Sequence, residues 1–209
     1  MSLKRFTIWT VVTVCAFAVH AAAQKNELSG LLGRTLISDQ SIQGAPAYDP
    51  DLRFGDGLTF EVNYARYVRG GELLSLSLEV PFVVNADEDL HAAQNLIPKQ
   101  YSSYFVTPAA RLNLFPEQAV SPWVSIGGGF GHFGASSTLE FGSFPNPGKT
   151  GTTTGVFEAG LGLDVRLFKR FSLRGEARDF WSGEPQLNVT TGNSRQHNIF
   201  VAGGVVWHF

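Results

Sequence analysis

Ionisable side chains recur in stretches of the chain where polar and apolar residues alternate. The five acidic and four basic members are Glu61, Glu79, Glu158, Asp164 and Glu176, and Arg111, Arg166, Arg174 and Arg178. Alternate side chains of a strand share one face, so each stretch would present its charges on one side. Enclosed charges must pair and hydrogen-bond. We expect Arg111, Arg174 and Arg178 to pair with Glu61, Glu79, Glu158 or Glu176. Such charges would either form a salt-bridge core or line a narrow ion path.

The histidines are the other residues that could support chemistry. His132 is followed by Ser136, Ser137 and Glu140. In a hydrolase, histidine can act as the general base, serine as the nucleophile and glutamate as the acid that orients the histidine. Nucleophilic catalysis needs the base and the nucleophile within hydrogen-bond reach. No serine stands two residues after His132, and nothing in the sequence forces such contact. We therefore expect no catalytic residues and no enzyme, and we interpret His132 as an interfacial aromatic.

Two further motifs contain residue types that occur in binding sites. Asp87, Glu88 and Asp89, with His91, offer oxygen ligands of the kind that a divalent cation prefers. Adjacent carboxylates in a loop are more often simply solvated, so we expect no metal site. The glycine-rich run 127–131 lacks the Lys-Ser/Thr pair of a phosphate-binding loop and lies within a predicted strand. We expect no cofactor.

Alternating polarity predicts eight strands, which are the elements that must position these residues. They span about Glu27–Leu36, Leu58–Tyr67, Leu73–Val84, Ser103–Phe115, Trp123–Phe133, Thr154–Phe168, Phe171–Phe180 and Asn198–Phe209. The connections alternate in length. Residues 68–72, 116–122 and 169–170 form short turns, whereas 37–57, 85–102, 134–153 and 181–195 form long loops. This rhythm is typical of an up-and-down barrel with short periplasmic turns and long extracellular loops. Both termini would then be periplasmic.

The two faces of the predicted strands differ in composition. One face is nearly all Leu, Val, Phe and Ile, and the other carries Gly, Ala, Ser and the charges. A soluble, lipocalin-like barrel would turn the apolar face inward and would have no polar group in its interior. Small residues suit the crowded interior of an eight-stranded barrel. We therefore expect an all-β fold, namely an eight-stranded antiparallel up-and-down transmembrane β-barrel with its apolar face toward lipid.

The N-terminus predicts export. Lys4 and Arg5 precede an apolar run of 14 residues and then an Ala-x-Ala site at 21–23. This pattern is typical of a secretory signal peptide, and the run is shorter than the roughly 20 residues of a spanning helix. We expect residues 1–23 to be the signal peptide and 24–209 to form the barrel. Cys15, the only cysteine, lies in the signal peptide. The chain has 16 basic and 18 acidic residues and no basic patch that would indicate nucleic-acid binding.

Aromatic residues are predicted to gather at both ends of the strands, as in a barrel with two interfacial belts. The expected periplasmic belt contains Phe115, Trp123, Phe168, Phe171, Trp207 and Phe209. The expected belt at the other end contains Tyr101, Tyr104, Phe133, Phe180 and Trp181.

The whole chain resembles the eight-stranded outer-membrane β-barrel superfamily of the OmpA and OmpX type. The resemblance rests on the signal peptide, on the strand Arg174–Phe180 and on the ending Gly203–Phe209. It implies an integral protein of a Gram-negative outer membrane, in contact with membrane lipid and lipopolysaccharide. Trp207 and Phe209 would be the C-terminal signature that the β-barrel assembly machinery reads. We expect no peptidoglycan-binding domain after the barrel.

The expected role is structural, or a surface interaction through the long loops with an extracellular ligand that the sequence does not name. Two alternatives stay open. One is a narrow or gated, porin-like channel, because charges face the lumen. The other is a lipid A-modifying enzyme, because some eight-stranded barrels have that activity.

Overall fold

The computed structural model describes residues 25–55, 57–92, 95–142 and 144–209. The predicted signal peptide lies outside the described residues. The strands are β1 (Asn26–Ile37), β2 (Gln40–Ser41), β3 (Asp51–Phe54), β4 (Leu58–Gly70), β5 (Leu74–His91), β6 (Gln100–Val106), β7 (Ala109–Leu114), β8 (Val120–Ala135), β9 (Gly151–Phe168), β10 (Phe171–Gly183) and β11 (Arg195–His208). The described part of the chain contains no helix that is long and apolar enough to cross a bilayer.

The long strands form a closed antiparallel ring. Each of them pairs with its neighbours along the chain, and β1 also pairs with β11, so that the described ring has no open edge. Strands β6 and β7 both lie between β5 and β8 and together form one wall strand. The ring therefore has eight members, and the predicted up-and-down topology is confirmed. Closure satisfies the backbone polar groups internally, as a bilayer requires.

Two prolines explain why the fourth wall strand is divided. It was predicted as one strand, Ser103–Phe115, but pairing is interrupted between β6 and β7 at Thr107 and Pro108. The amide of Thr107 donates to the carbonyl of Pro81 on β5 at 3.4 Å, and the amide of Gly128 donates to the carbonyl of Pro108 at 3.2 Å. Neither proline can donate in return, because proline has no N–H.

The two ends of the barrel differ. The end with the short connections 71–73, 115–119 and 169–170 and with both termini of the described chain is called the turn end. The opposite end, with the connections 38–57, 92–99, 136–150 and 184–194, is called the loop end. Strand β5 continues to His91, seven residues beyond its predicted limit, and pairs there with β3. The predicted loop 85–102 is therefore largely strand.

The side chains alternate between lumen and surroundings as the sequence predicts. On β4, Leu58, Phe60 and Val62 are 48–54% exposed. Their neighbours Thr59 and Glu61 are at most 1% exposed. The polar face thus lines the lumen and the apolar face covers the outside, which is the reverse of a soluble lipocalin-like barrel. An apolar outer wall is stable in hydrocarbon, because removal of this surface from water is favourable.

The height of the apolar wall fits a bilayer. Phe171 on β10 lies opposite Trp207 on β11 near the turn end, and ten residues farther along, Trp181 lies opposite His197. With a rise of about 3.4 Å per residue and a tilt of about 40°, these two levels are about 26 Å apart. Outer-membrane barrels carry an apolar band about 25 Å tall between two aromatic girdles.

The predicted aromatic belts need correction. Phe168, Phe171, Trp207, Tyr104 and Trp181 are 37–70% exposed on the outside, and Phe115, in the turn after β7, is 46% exposed. Four other predicted belt residues are only 0–2% exposed and lie in the lumen: Trp123, Tyr101, Phe133 and Phe180. Their positions within the strands explain the difference. Each of them is an even number of residues away from a lumen-facing polar residue, as Trp123 is from Ser125.

Candidate functional site: the barrel lumen and the loop cap

Arg178 is the centre of a buried charge cluster in the lumen. Its guanidinium contacts one carboxylate on its own strand and one on each of three other strands, and none of these side chains is exposed. Nε lies 2.7 Å from Glu176 and 3.5 Å from Glu61, and Nη1 lies 2.9 Å from both Glu79 and Glu158. The planar fork of arginine suits such multiple contacts. Arg178 therefore joins β4, β5, β9 and β10 across the lumen.

Two further arginines extend the cluster toward the turn end. Arg111 contacts Glu79 at 3.2 Å and also contacts Glu27. Arg174 lies 2.7 Å from Asp164 and 3.3 Å from Glu27. These partners of Arg174 differ from the four glutamates that the sequence suggested. Glu27 was not predicted as a site residue, because the alternation in the first strand is weak.

A tryptophan lies among the three guanidiniums. The ring centroid of Trp123 is 5.1 Å from Arg178, 5.2 Å from Arg174 and 5.6 Å from Arg111, and its indole nitrogen donates to Asp164 at 3.3 Å. Cation–π attraction of this kind is stronger where water is excluded. Trp123 is therefore in contact with all three cations of the cluster. Its position on the lumen face, two residues before Ser125, is the signal that could have identified it.

The cluster is acid-rich. Within the described lumen it combines six carboxylates with three guanidiniums: Glu27, Glu61, Glu79, Glu158, Asp164 and Glu176 against Arg111, Arg174 and Arg178. Neither carboxylate oxygen of Glu61 has a hydrogen-bond partner, and one oxygen of Glu158 has none. Because cations are in the minority, loss of one guanidinium should cost more than loss of one carboxylate.

Arg166, the remaining predicted interior charge, lines the open cavity at the turn end and does not join the buried cluster. It is exposed at the turn end of β9, where its guanidinium donates to the backbone carbonyl of Pro116 at 2.7 Å and of Glu117 at 3.4 Å. The pairing of β9 with β10 shifts register next to Phe171, close to this position. Arg166 therefore stabilises a turn and lies outside the buried cluster.

The half of the lumen toward the loop end is filled by aromatic rings. Phe105 and Phe180 stack with centroids 4.7 Å apart and an interplanar angle of 5°. Phe133 contacts Phe105 edge to face at 5.8 Å and stacks on Tyr101 at the same distance. These four rings and Phe200, each at most 2% exposed, form what we call the aromatic plug. Aromatic pairs at such distances pack favourably.

The plug continues into the loops. Leu52 of β3, Leu90 of β5, Ile97 and Leu187 are 0–3% exposed and belong to the same apolar cluster. The loops are also joined by hydrogen bonds, such as those of Asn188 to Leu96 at 3.0 Å and to Asn146 at 2.7 Å. We call these ordered connections with β2 and β3 the loop cap. Its apolar interior is continuous with that of the barrel, so the loop end is closed by packed side chains.

The turn end is open by comparison. A polar cavity of about 400 Å³ lies there, and Glu27, Asp164, Ser121 and His208 are among the residues that line it. Glu27 and Asp164 also belong to the charge cluster, so the cavity reaches the cluster from one side. The lumen is thus divided into an open cavity, a buried charge cluster and an aromatic plug.

The structure does not assemble the candidate hydrolase residues around His132. His132 faces outward on β8, hydrogen-bonds Thr153 at 2.8 Å and stacks on Tyr104 at 5.1 Å. Glu140 instead contacts His91 at 3.0 Å, and the hydroxyl of Ser136 bonds within the loops to the backbone of residues 100 and 138. For Ser137 the described contact is a backbone one, in which its carbonyl accepts from the amide of Asn146.

The acidic segment 87–89 is part of β5 rather than an open loop. Glu88 is 1% exposed and contacts Asn85, whereas Asp87 accepts a long hydrogen bond of 3.4 Å from Gln100. Because alternate residues of a strand point to opposite faces, these carboxylates do not converge. Among residues 25–209 that the structure describes, no cluster of three or more His, Cys, Asp or Glu side chains has the arrangement of a metal site.

Comparison with known proteins supports the fold. No protein-family model matches the chain, and no curated protein matches its sequence. Neisserial surface protein A matches with a TM-score of 0.53 at 11% identity, over 88% of this chain and 97% of that one. OprG of Pseudomonas aeruginosa matches with 0.53 at 10% identity, over 90% and 96%. The N-terminal β-barrel domain of OprF of P. aeruginosa matches with 0.51 at 10% identity, over 90% and 100%.

These matches and the closed ring define the class of fold. The chain has the architecture of the eight-stranded outer-membrane β-barrels, and the resemblance seen in the sequence is confirmed at this level. Sequence identities of 10–11% with these structures support a shared architecture but do not indicate a shared role. Function lies in sites that are built on a fold, so it must be argued from this chain's own residues.

Proposed function

We propose that this protein is an integral outer-membrane barrel with a closed lumen that acts at the cell surface through its loop cap. The observation that carries this proposal is the continuous apolar packing from the aromatic plug into the cap, with Phe180 and Leu90 completely buried. This packing holds the connections of the cap in one arrangement. A rigid scaffold that presents ordered loops is a common arrangement for binding.

Three features support the proposed location. The outer wall is apolar, its two aromatic levels are about 26 Å apart, and the sequence begins with the pattern of a secretory signal peptide. The aromatic ending Trp207–Phe209, in which the two rings contact at 4.6 Å, matches the signature for the β-barrel assembly machinery. The proposed orientation places the loop end outside and the turn end in the periplasm, because long loops of such barrels are extracellular.

The filled lumen favours this role over a channel. A conducting path would have to pass the charge cluster and then the aromatic plug, where Phe105 and Phe180 stack at 4.7 Å. An eight-stranded barrel has an interior just wide enough for its own side chains. The contacts of His132 and Glu140 with partners other than each other give the lipid A-modifying alternative less support than the surface role.

The test begins with expression of the complete chain in a Gram-negative host and comparison of boiled with unboiled samples of the outer-membrane fraction. We expect a faster-migrating unboiled band, no steady conductance in planar bilayers and no mass change in lipid A. A membrane-impermeant amine reagent on whole cells should label Lys149 in the loop cap and not Lys169 at the turn end, both of which are exposed. A soluble product, a steady conductance or equal labelling of both lysines would contradict the proposal.

A further inference from the structure

Trp181, His197 and Arg195 form an organised group on the outside of the barrel. The ring of His197 stacks on Trp181 with centroids 5.9 Å apart and an angle of 13°. The guanidinium of Arg195 lies over the same indole, 5.3 Å from its centroid. The three side chains face outward because Trp181 and His197 are opposite in register and Arg195 is two residues from His197. We call them the outer-wall patch.

The guanidinium of Arg195 is not paired with the carboxylate beside the outer-wall patch. Asp179 accepts from Nδ1 of His197 at 2.7 Å, so this carboxylate is committed to the histidine. Within the described residues, Arg195 has no carboxylate at salt-bridge distance, and its one described side-chain contact is with the indole. A guanidinium presents five donors, and stacking on an aromatic face leaves its in-plane N–H groups available. The patch is therefore a preformed donor site in which the positive charge of Arg195 is not used in an ion pair with Asp179.

The position of the outer-wall patch along the barrel axis indicates which anion would lie next to it in a membrane. Toward the turn end, the outward neighbours on β11 are Ile199 and Val201, which are 41% and 48% exposed and apolar. Toward the loop end lies the polar connection 184–194. Trp181 is at the upper of the two aromatic levels, about 26 Å from the lower one. In a bilayer this is the depth of lipid headgroups, where phosphate is the abundant anion.

We propose that the outer-wall patch binds the phosphate group of an outer-leaflet lipid, with Arg195 as the principal donor, Trp181 as its stacking platform and His197 beside it. This inference rests on the proposed function, since it requires the barrel to span the outer membrane. Arginine binds phosphate through parallel, charge-assisted hydrogen bonds. The lipid would therefore bind at one position of the wall formed by β10 and β11, in addition to the nonspecific contact of acyl chains.

The test measures lipid retention by the folded barrel purified from membranes, with native mass spectrometry and two lipids of identical acyl chains. Phosphatidylglycerol carries a phosphate, whereas diacylglycerol does not. We expect Arg195→Gln to weaken phosphatidylglycerol binding roughly tenfold, as for loss of a hydrogen bond to a charged group. Arg195→Lys should retain most of the binding. Arg170→Gln, which removes an exposed arginine at the turn end, should bind as the unchanged protein does.

Three outcomes would overturn the inference. They are unchanged phosphatidylglycerol binding by Arg195→Gln, equal retention of diacylglycerol, and displacement of the lipid by millimolar inorganic phosphate, which would indicate a site for free anions. The proposed function is judged separately by the heat-dependent gel shift. A protein that shows this shift but lacks phosphate-dependent retention refutes the lipid site alone, whereas absence of the shift refutes the membrane barrel.

Discussion

Replacement of Arg178 by methionine should severely destabilise the barrel. The side chain is 1% exposed and hydrogen-bonds Glu79, Glu158 and Glu176 at 2.7–2.9 Å. Removal of one partner of a buried ion pair costs about 3–5 kcal/mol, because the other charge stays buried without compensation. Here several carboxylates lose the same cation, so we expect a loss of at least about 5 kcal/mol, against a typical total stability of about 5–15 kcal/mol.

Two matched variants separate this reasoning from a general effect of mutation. Arg166→Met removes the same side-chain type where it is exposed and donates to turn carbonyls, and it should cost about 1 kcal/mol or less. Glu61→Gln neutralises a buried carboxylate whose oxygens lack hydrogen-bond partners. Because the cluster is acid-rich, this variant should be neutral or slightly stabilising.

The assay is urea unfolding of the barrel in lipid vesicles, followed by the fraction that migrates as the folded band and by tryptophan fluorescence. Trp123 lies 5.1 Å from the guanidinium of Arg178 and reports the cluster directly. The reasoning would be refuted if Arg178→Met unfolded within about 1 kcal/mol of the unchanged protein, which is the level of an exposed ion pair. It would equally fail if Arg166→Met were as costly, or if Glu61→Gln were as destabilising as Arg178→Met.

Three further predictions concern the wall, the lumen and assembly. Gly129→Ala should lower the free energy of unfolding in urea by about 1–3 kcal/mol, because a β-carbon there meets the backbone of β6. Gly175→Ala should be neutral, because there is open space around that position. Equal unfolding midpoints for the two variants would contradict this prediction. The refolded chain 24–209 has no natural cysteine, so single cysteines can be introduced into its lumen. A thiol reagent should modify Ser121→Cys in the turn-end cavity and should not modify Ser182→Cys in the buried lumen. Reversed reactivity would indicate that the reagent enters through the loop end. Phe209→Ala should lower the folded band in cell membranes but not in detergent refolding; equal losses in both would show a stability effect instead of recognition by the assembly machinery.

The sequence alone determined the eight members of the ring, their up-and-down topology and which face of the alternation, polar or apolar, meets the surroundings. These properties depend on local information: alternate residues of a strand point to opposite sides, and short turns force consecutive strands to pair as neighbours. The polar, lumen-facing side of β4, with Thr59, Glu61 and Asn63, could therefore be predicted without knowledge of any partner.

The tertiary structure decided which of the enclosed residues meet. Strand alternation assigns a side chain to the lumen, but the height at which it enters depends on the stagger of the strands, which is a property of the closed ring. This is why Arg174 pairs with Asp164 and Glu27, and why Trp123 stands among three guanidiniums. The loop cap likewise depends on contacts between segments distant in sequence, such as β3 with the extension of β5, and these leave no periodic signal in the chain.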